Sequence, residues 1–416
     1  MSDSRRNWAL FLAVSMFLGI TTGIYETSFN NYLSDVFQIS AKTRGWLEFP
    51  REFPGCSIAF ISAVLAFLPE VKMAIVATGL WALGLFGLGA LSPSLPVLII
   101  WMMVWSVGTH LYLALGQAIG VSVSEEDQVG RRLGQIAGVN TAAIIAGAGV
   151  VWLSMEYWNL GYAPIFAIAA ASAFLAALSL IPMKVQSARR SPGELEMGTP
   201  GIDMDIQGSD LRQPHRFAFT SRFVVKRRYG LFYALNILFG ARKQVFITFG
   251  PWVLIRVFEQ PASTIAMLWI VSSVLGIFFK PLLGRLIDSW GERRILMGEA
   301  ACLVLICLGY ASGGRLGALE FGNIGVDMGL YLTYACFIAD QLLMGVGIAR
   351  TTYLNKIAED PRDLTPTLSL GISLDHVVSM MVPAFGGILW AQMGYEYVFV
   401  VAACVALLNL LVAGHI

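Results

Sequence analysis

Charged side chains interrupt several long apolar stretches of this sequence, and they have the chemistry to bind an ion, a proton or a small solute. Arg242, Lys243 and Gln244 follow one another within the stretch 229–256. A charge at the centre of a bilayer costs roughly 2.5–3.5 kcal/mol, so such residues normally face a cavity or a partner. The planar guanidinium of Arg242 suits a carboxylate or phosphate. We therefore expect Arg242 to bind an anion, with an ion pair to an acid on another helix as the equal alternative, and we expect Lys243 and Gln244 to contact the same solute.

A second group of charges occupies the stretch 44–68. Arg51 and Glu52 follow Glu48 by three and four residues, which places all three on one face of a helix. Two interpretations are open. The set either neutralises itself as a structural cluster, or one of its carboxylates takes up and releases a proton.

Asp340 and Asp375 lie near the middle of two further apolar stretches. Burial disfavours the charged form of a carboxyl group, so an unpaired carboxylate there would be protonated. We expect both aspartates to carry protons, and Asp340 to pair with one of the two cations in 229–256. His110 and His376 also fall in apolar stretches, either as proton carriers or as packing residues.

The amino-acid composition indicates the class of protein in which these residues lie. The chain has 416 residues, of which 56% are hydrophobic and 13% are charged, whereas a soluble domain carries about 25% charged residues. This excludes a soluble enzyme, a disordered protein and a secreted disulfide scaffold. The five cysteines lie in apolar runs without the spacing of paired ligands, so we interpret them as small core residues.

Twelve stretches are long enough to cross a bilayer, which requires roughly 20 mostly apolar residues. The first stretch lacks a small-residue cleavage site and is too long for the core of a signal peptide, so we count it as a span. The predicted limits are 8–34, 44–68, 73–92, 96–122, 133–154, 162–182, 229–256, 263–287, 295–312, 328–349, 366–390 and 396–414.

The basic residues predict the orientation of these spans, because Lys and Arg are enriched in cytoplasmic loops. With the N-terminus inside, 20 of the 28 basic residues lie at cytoplasmic ends and loops. Both termini are then cytoplasmic. The exceptions are Lys42, Arg44, Arg256 and Arg315 on the outside, and Arg51, Arg242, Lys243 and Arg350 within spans.

A polar segment in the middle of the chain suggests two halves. Residues 183–228 contain three prolines and nine basic residues, which is typical of a cytoplasmic linker. We therefore expect six-helix bundles at 1–182 and 229–416. A shift of 222 residues aligns Arg5-Arg6 with Arg227-Arg228, which favours duplicated halves about an axis along the membrane normal.

One loop has a residue spacing that is typical of a particular family of membrane proteins. Between the eighth and ninth spans the chain contains Gly284, Asp288 and Gly291, followed by the pair Arg293-Arg294. This spacing resembles the loop signature of the major facilitator superfamily. The resemblance implies twelve helices in two pseudo-twofold six-helix bundles. It also implies that the loop acts as a conformational latch, in which Gly284 allows close helix packing, Asp288 lies beside a helix N-terminus and Gly291 makes the turn.

The resemblance also assigns the first span to the cavity lining. Tyr25, Glu26 and Asn30 lie in its middle and outer part, and a shift of 222 residues aligns Glu26 with the polar Thr248. We therefore expect these four residues to contact the substrate or a proton.

The sequence as a whole predicts a monomeric secondary active transporter in the bacterial inner membrane. Its expected cargo is a small organic anion coupled to protons, moved by alternating access. A proton-coupled exporter of cationic or neutral amphiphiles is the alternative. The main enzyme signatures, such as His-Glu-x-x-His and Gly-x-Ser-x-Gly, are missing from the sequence. We therefore expect no catalysis, cofactor, metal or nucleic acid, and we expect the lipid bilayer, protons and a small solute as partners.

Overall fold

The computed structural model describes residues 3–65, 68–124, 128–183, 226–317 and 327–416, and these residues are helical almost throughout. The part described contains thirteen α-helices, numbered here in chain order, and short 3-10 turns at Arg227–Tyr229 and Met344–Val346. The helices are α1 (Asp3–Asp35), α2 (Ala41–Val64), α3 (Glu70–Ala90), α4 (Leu95–Ser122), α5 (Val129–Glu156), α6 (Tyr162–Leu180), α7 (Gly230–Arg256), α8 (Ala262–Trp290), α9 (Glu292–Gly317), α10 (Met328–Leu343), α11 (Gly347–Ile357), α12 (Pro361–Met393) and α13 (Tyr395–Ala413).

Ten segments of the described chain are long and apolar enough to cross a membrane. One of them, Met328–Ile357, contains both α10 and α11, which are joined by the turn Met344–Val346. The two other long helices, α2 and α7, are the ones that carry clusters of charged residues. Counting these two gives twelve spans, so the prediction of an all-α membrane protein is confirmed.

Most helices extend beyond the apolar stretches from which we predicted them. α1 begins at Asp3 rather than at residue 8, and α9 ends at Gly317 rather than at residue 312. The tenth span continues through α11 to Ile357, eight residues past its predicted end. Helical hydrogen bonds join backbone groups, so polar turns continue a helix after the apolar pattern has stopped. Most of the predicted linker, residues 184–225, lies outside the described residues.

The chain divides into two compact units. Unit 1 contains Met1–Ser28 and Phe53–Arg222, and unit 2 contains Phe29–Glu52 and Phe223–Ile416. The division therefore passes through α1 and α2 as well as through the segment before α7. The two predicted six-helix bundles, with their duplicated relationship, stay a prediction.

Within unit 1, glycines bring helix backbones into direct contact. A Cβ added at Gly23 of α1 would lie 2.2 Å from the carbonyl oxygen of Ile144 on α5. A Cβ added at Gly147 of α5 would lie 2.2 Å from the carbonyl oxygen of Ile20 on α1. Small residues allow such approaches between membrane helices, so α1 and α5 pack without intervening side chains.

Within unit 2, an aromatic core fixes the position of α7. Phe246 of α7 lies near Tyr310 of α9 and Phe399 of α13, with ring centroids 5.7 and 5.9 Å away. Tyr310 and Phe399 stack at 4.5 Å with an angle of 6° between their planes. All three side chains are buried. The polar run 242–244 lies just before this core, so it is held in place by apolar packing.

Candidate functional site

Arg242 of α7 is enclosed by acids from two other helices of unit 2. Its Nη2 donates to Oδ1 of Asp340 on α10 at 2.8 Å, and its Nη1 donates to Oε1 of Glu299 on α9 at 3.4 Å. Arg350 on α11 donates to the second oxygen of Glu299 at 3.5 Å, and its guanidinium lies 3.7 Å from the ring centroid of Phe239. Arg242, Glu299, Asp340 and Arg350 are each at most 6% exposed. They form a neutral group of four buried charges, which we call the buried quartet.

The buried quartet is relevant to two expectations, namely that Asp340 pairs with a cation of α7 and that Arg242 binds an anion. Asp340 and Arg242 are in contact, on α10 and α7 as the pairing hypothesis required. Arg242 therefore adopts the ion-pair alternative in this conformation, with its guanidinium shared between two carboxylates. Its Nε has no hydrogen-bond partner among the described residues, but an anion that displaced Asp340 or Glu299 would break a buried ion pair. Breaking a buried pair leaves an uncompensated charge, which is strongly destabilising.

Lys243 makes a separate and more accessible pair. Its Nζ lies 2.5 Å from Oδ2 of Asp375 on α12, and the two side chains are 21% and 14% exposed. The second oxygen, Oδ1, has no hydrogen-bond partner among the residues described. Gly240, one turn before Lys243, makes the pair possible, because a Cβ there would lie 2.3 Å from this Oδ1.

The predicted charge cluster of α2 forms a continuous ladder of ion pairs. Glu48 accepts from Arg44 through one oxygen, and from Arg51 Nε through the other at 2.6 Å. Arg51 Nη2 also lies 2.7 Å from Oε1 of Glu52. Glu48 and Glu52 are buried. The spacing of three and four residues thus places these charges on one helical face, as predicted.

Both carboxylates of this ladder also contact other helices of unit 2. Gln244 of α7 donates from Nε2 to Glu48. Nδ1 of His376 on α12 lies 3.0 Å from Oε2 of Glu52. The polar run of α7 and the Asp375-His376 pair of α12 are therefore connected to α2 through its carboxylates.

Two charged residues of this site have surroundings that we did not predict from the sequence. We assigned Arg44 to the outer side, which stays a prediction, but we did not expect its side chain to be buried. Arg44 is 2% exposed within α2, and its Nε donates to Oδ1 of Asn30 at 2.8 Å. Glu299 was overlooked because it lies only four residues inside the predicted ninth span, near the polar loop 291–294. A carboxylate in that stretch was the available signal.

The other predicted substrate contacts lie in different surroundings. In unit 1, Tyr25 is 3% exposed and stacks on Trp105 of α4 at a centroid distance of 4.0 Å, while Glu26 beside it is partly exposed. His110 of α4 lies within 3.1 Å of the Ser106 hydroxyl. In unit 2, Thr248 is buried on α7, 3.4 Å from the amide nitrogen of Gln244. The roles of these residues stay predictions.

The latch loop has only part of the expected geometry. Gly291 ends α8 with a φ of 79°, a conformation that favours glycine. The expected close packing at Gly284 is wrong, because an added Cβ would meet no described atom within 4 Å. Asp288 is exposed and makes no hydrogen bond or ion pair with the described residues, and Arg293-Arg294 are also exposed. Gly284 therefore does not act as a packing position in this conformation.

A second charged contact joins α7 and α12 outside their apolar segments. Just before α7, Lys226 lies 2.5 Å from Asp363 Oδ2, and the Tyr229 hydroxyl donates to the same oxygen at 2.7 Å. The hydrogen bonds from Lys226 and Tyr229 lower the pKa of Asp363 below its usual value. The hydrogen bond to Asp363 raises the pKa of Lys226 in turn. Burial, with the bond to Asp363, raises the pKa of Tyr229.

Twelve spans with paired charges inside them define a carrier-type membrane protein, and the sequence comparison identifies its family. The sequence profile of the Major Facilitator Superfamily matches residues 53–366, which is more than half of the chain. The chain therefore belongs to this superfamily, and it is a multi-pass membrane transporter. The family prediction is confirmed. No curated protein matches the chain.

Solved structures of transporters share the fold at low sequence identity. The nucleoside transporter NupG is 12% identical with a TM-score of 0.69, covering 99% of this chain and 98% of its own. A bacterial homologue of the human lysosomal transporter Spinster, inward-facing and unoccupied, is 14% identical with a TM-score of 0.68, covering 100% and 97%. A D-xylose-proton symporter is 14% identical with a TM-score of 0.67, covering 98% and 96%. At these identities the likeness extends to the fold alone.

Proposed function

We propose that the protein carries a small organic anion across the cell membrane by alternating access, coupled to protons, with Lys243 and Asp375 as the exchanging pair. The observation that supports this is the difference in exposure between the two ion-pair systems of α7. Lys243 and Asp375 are 21% and 14% exposed, whereas the side chains of the buried quartet are at most 6% exposed. Solute can thus reach Lys243 more readily than Arg242.

The proposed coupling follows from charge balance. In unit 2, each of five embedded bases contacts a carboxylate, so a solute anion finds no unpaired cation among these five. Protonation of Asp375 would release Lys243, and the solute anion would then take the place of the carboxylate. Proton and anion would enter together, and the site would stay neutral. The embedded charges are Arg44, Arg51, Arg242, Lys243 and Arg350 against Glu48, Glu52, Glu299, Asp340 and Asp375.

Several finer statements belong to the same proposal. The protein is placed in the bacterial inner membrane with both termini in the cytoplasm, as a monomer surrounded by lipid. In unit 2, the proposed substrate contacts are Lys243 and Gln244, together with Asn30 and Thr248. The similarity to a D-xylose-proton symporter supports proton coupling as an expectation.

The test is flux into proteoliposomes containing the purified protein. We expect carboxylate uptake driven by an inward proton gradient. Lys243→Met should lower uptake at least about tenfold, which corresponds to 1.4 kcal/mol of lost transition-state interaction. Asp375→Asn should retain uptake but lose its dependence on the proton gradient. Lys280→Met, which removes an exposed lysine of α8, is the matched control and should leave uptake unchanged.

Two outcomes would contradict the proposal. Uptake of cationic or neutral amphiphiles, with none of any carboxylate, would favour the exporter alternative. Carboxylate uptake that survives Lys243→Met would remove the assigned role of the lysine.

A further inference from the structure

The contact between α7 and α12 has a regular register. Gly371 of α12 lies against Phe232 and Asn236 of α7, with an added Cβ 3.0 and 3.4 Å from their side chains. Asp375 lies against Gly240, four residues further along each helix. In this part of the seam, residues 135 apart in sequence therefore face each other. The next helical turn brings Gln244 and Ser379 to the same seam, because residues four apart share a helical face.

These positions carry polar atoms that the protein leaves unsatisfied. Oε1 of Gln244 and Oγ of Ser379 have no hydrogen-bond partner in the described chain, and neither does Oδ1 of Asp375. Gln244 is 1% exposed and Ser379 is 0% exposed. Buried polar groups in native proteins are nearly always hydrogen-bonded. Three such atoms on two successive turns, beside the amine of Lys243, point to a bound polar molecule.

The chemistry of these atoms specifies what that molecule must offer. A carboxylate oxygen and an amide oxygen only accept hydrogen bonds, and a serine hydroxyl both donates and accepts. A ligand that fits them must donate hydrogen bonds, as the hydroxyl groups of an organic acid do. Lys243, one residue from Gln244 and paired with Asp375, provides the cation for a carboxylate. If the proton binds at Oδ2 of Asp375, where Lys243 is released, Oδ1 stays available as an acceptor.

We propose that the α7–α12 seam recognises the hydroxyl groups of the cargo, so that the transported anion is a hydroxycarboxylate rather than a simple carboxylate. This inference rests on the proposed anion transport and names its substrate class. Lys243 binds the carboxylate, and Gln244, Asp375 and Ser379 bind hydroxyls on the adjoining carbon atoms.

The experiment compares pairs of acids that differ only in hydroxyl groups. Uptake of propionate, lactate and glycerate, and of hexanoate and gluconate, is measured in proteoliposomes of the full-length protein under one proton gradient. We expect each hydroxylated acid to be taken up at least about tenfold faster than its deoxy partner, because a site built to bind a hydroxyl discriminates strongly against its absence.

Ser379→Ala tests the seam directly. It should reduce this preference about three- to tenfold by slowing uptake of the hydroxylated acids more than uptake of their deoxy partners. Ser272→Ala is the matched control, because it removes a buried hydroxyl that already donates to the Leu268 carbonyl at 2.7 Å. That variant should keep the wild-type preference.

The outcomes separate this inference from the proposed function. Equal uptake of hydroxylated and deoxy acids would overturn hydroxyl recognition and leave anion transport standing. Loss of uptake of all acids alike in Ser379→Ala would assign the serine a packing role and would also count against the inference. The comparison in the wild-type protein needs no variant, so it decides the question even if Ser379→Ala fails to fold. An absence of uptake of any carboxylate would refute the proposed function itself.

Discussion

Arg242 illustrates how one residue can belong equally to a binding site or to a structural network. Its guanidinium has the geometry to bind a solute carboxylate, but it is already paired with the carboxylates of Asp340 and Glu299. Burying an ion pair gives little net stability, whereas removing one partner leaves the other charge unpaired and costs about 3–5 kcal/mol. The quartet therefore acts as a unit, and its response to substitution should be strongly non-additive.

We expect Arg242→Met to lower the unfolding free energy by about 3–5 kcal/mol, seen as a fall in melting temperature in detergent. The double variant Arg242→Met with Asp340→Leu should recover most of this loss, because Glu299 and Arg350 stay paired and Phe239 and Phe246 lie 5.9 Å from the removed guanidinium. A double variant as unstable as the single one would show that the two residues are not energetically coupled.

At the scale of elements, α7 and α12 are connected at two levels. Lys243 and Asp375 join their middles, and Lys226 with Tyr229 contacts Asp363 near their N-terminal ends. The contact of Lys226 and Tyr229 with Asp363 is partly exposed and lies outside the apolar segments. Its contribution to the stability of the protein should therefore depend on the pH of the solution. Its carboxyl group has a lowered pKa in the folded state. Its contribution to stability is therefore complete above the unfolded-state pKa of about 3.9 and is lost as pH falls through the folded-state value.

Asp363→Asn should lower the melting temperature by about 1–2 °C at pH 7, since partly exposed ion pairs contribute little. The difference from wild type should shrink as the pH falls below about 4, where the wild-type carboxyl group is also neutral. Asp288→Asn is the control, because that exposed carboxylate has no partner among the residues described. A difference between wild type and Asp363→Asn that persists unchanged in acid would contradict the electrostatic origin of the contact.

At the scale of the whole molecule, the positive-inside pattern predicts one orientation. It assigns Lys42, Arg44, Arg256 and Arg315 to the outer side and 20 of the 28 basic residues to the cytoplasmic side. Ser94, just before α4, is then on the outer side of the membrane, and Ser289, near the end of α8, is on the cytoplasmic side. Both are exposed.

In a background without the five native cysteines, Ser94→Cys should react with a membrane-impermeant maleimide in intact cells. Ser289→Cys should react only after the cells are permeabilised. The reverse pattern of labelling would invert the topology and with it the assignment of cytoplasmic termini.

The spans could be predicted from the sequence because each is a long apolar run, and even the charged α2 and α7 keep enough apolar residues to be found. The helical face shared by Glu48, Arg51 and Glu52 could also be predicted, because helical spacing is a local property. The contacts between residues of different helices could not be predicted. That Arg242 contacts Glu299, and that a Cβ added at Gly284 would meet no described atom within 4 Å, depends on which helices pack together, and no local pattern carries that information.

The wide sequence separation within the ion pairs has a consequence for how the chain is made. Asp340 follows Arg242 by 98 residues, and Asp375 follows Lys243 by 132. A ribosome adds about 5–20 residues per second, so both cations emerge roughly 5–25 s before their counter-ions. During that interval the two cations of α7 have no counter-ion, and each costs roughly 2.5–3.5 kcal/mol at the centre of a bilayer. Insertion of α7 during synthesis should therefore be assisted by later helices, or by an insertase that shelters it until they arrive.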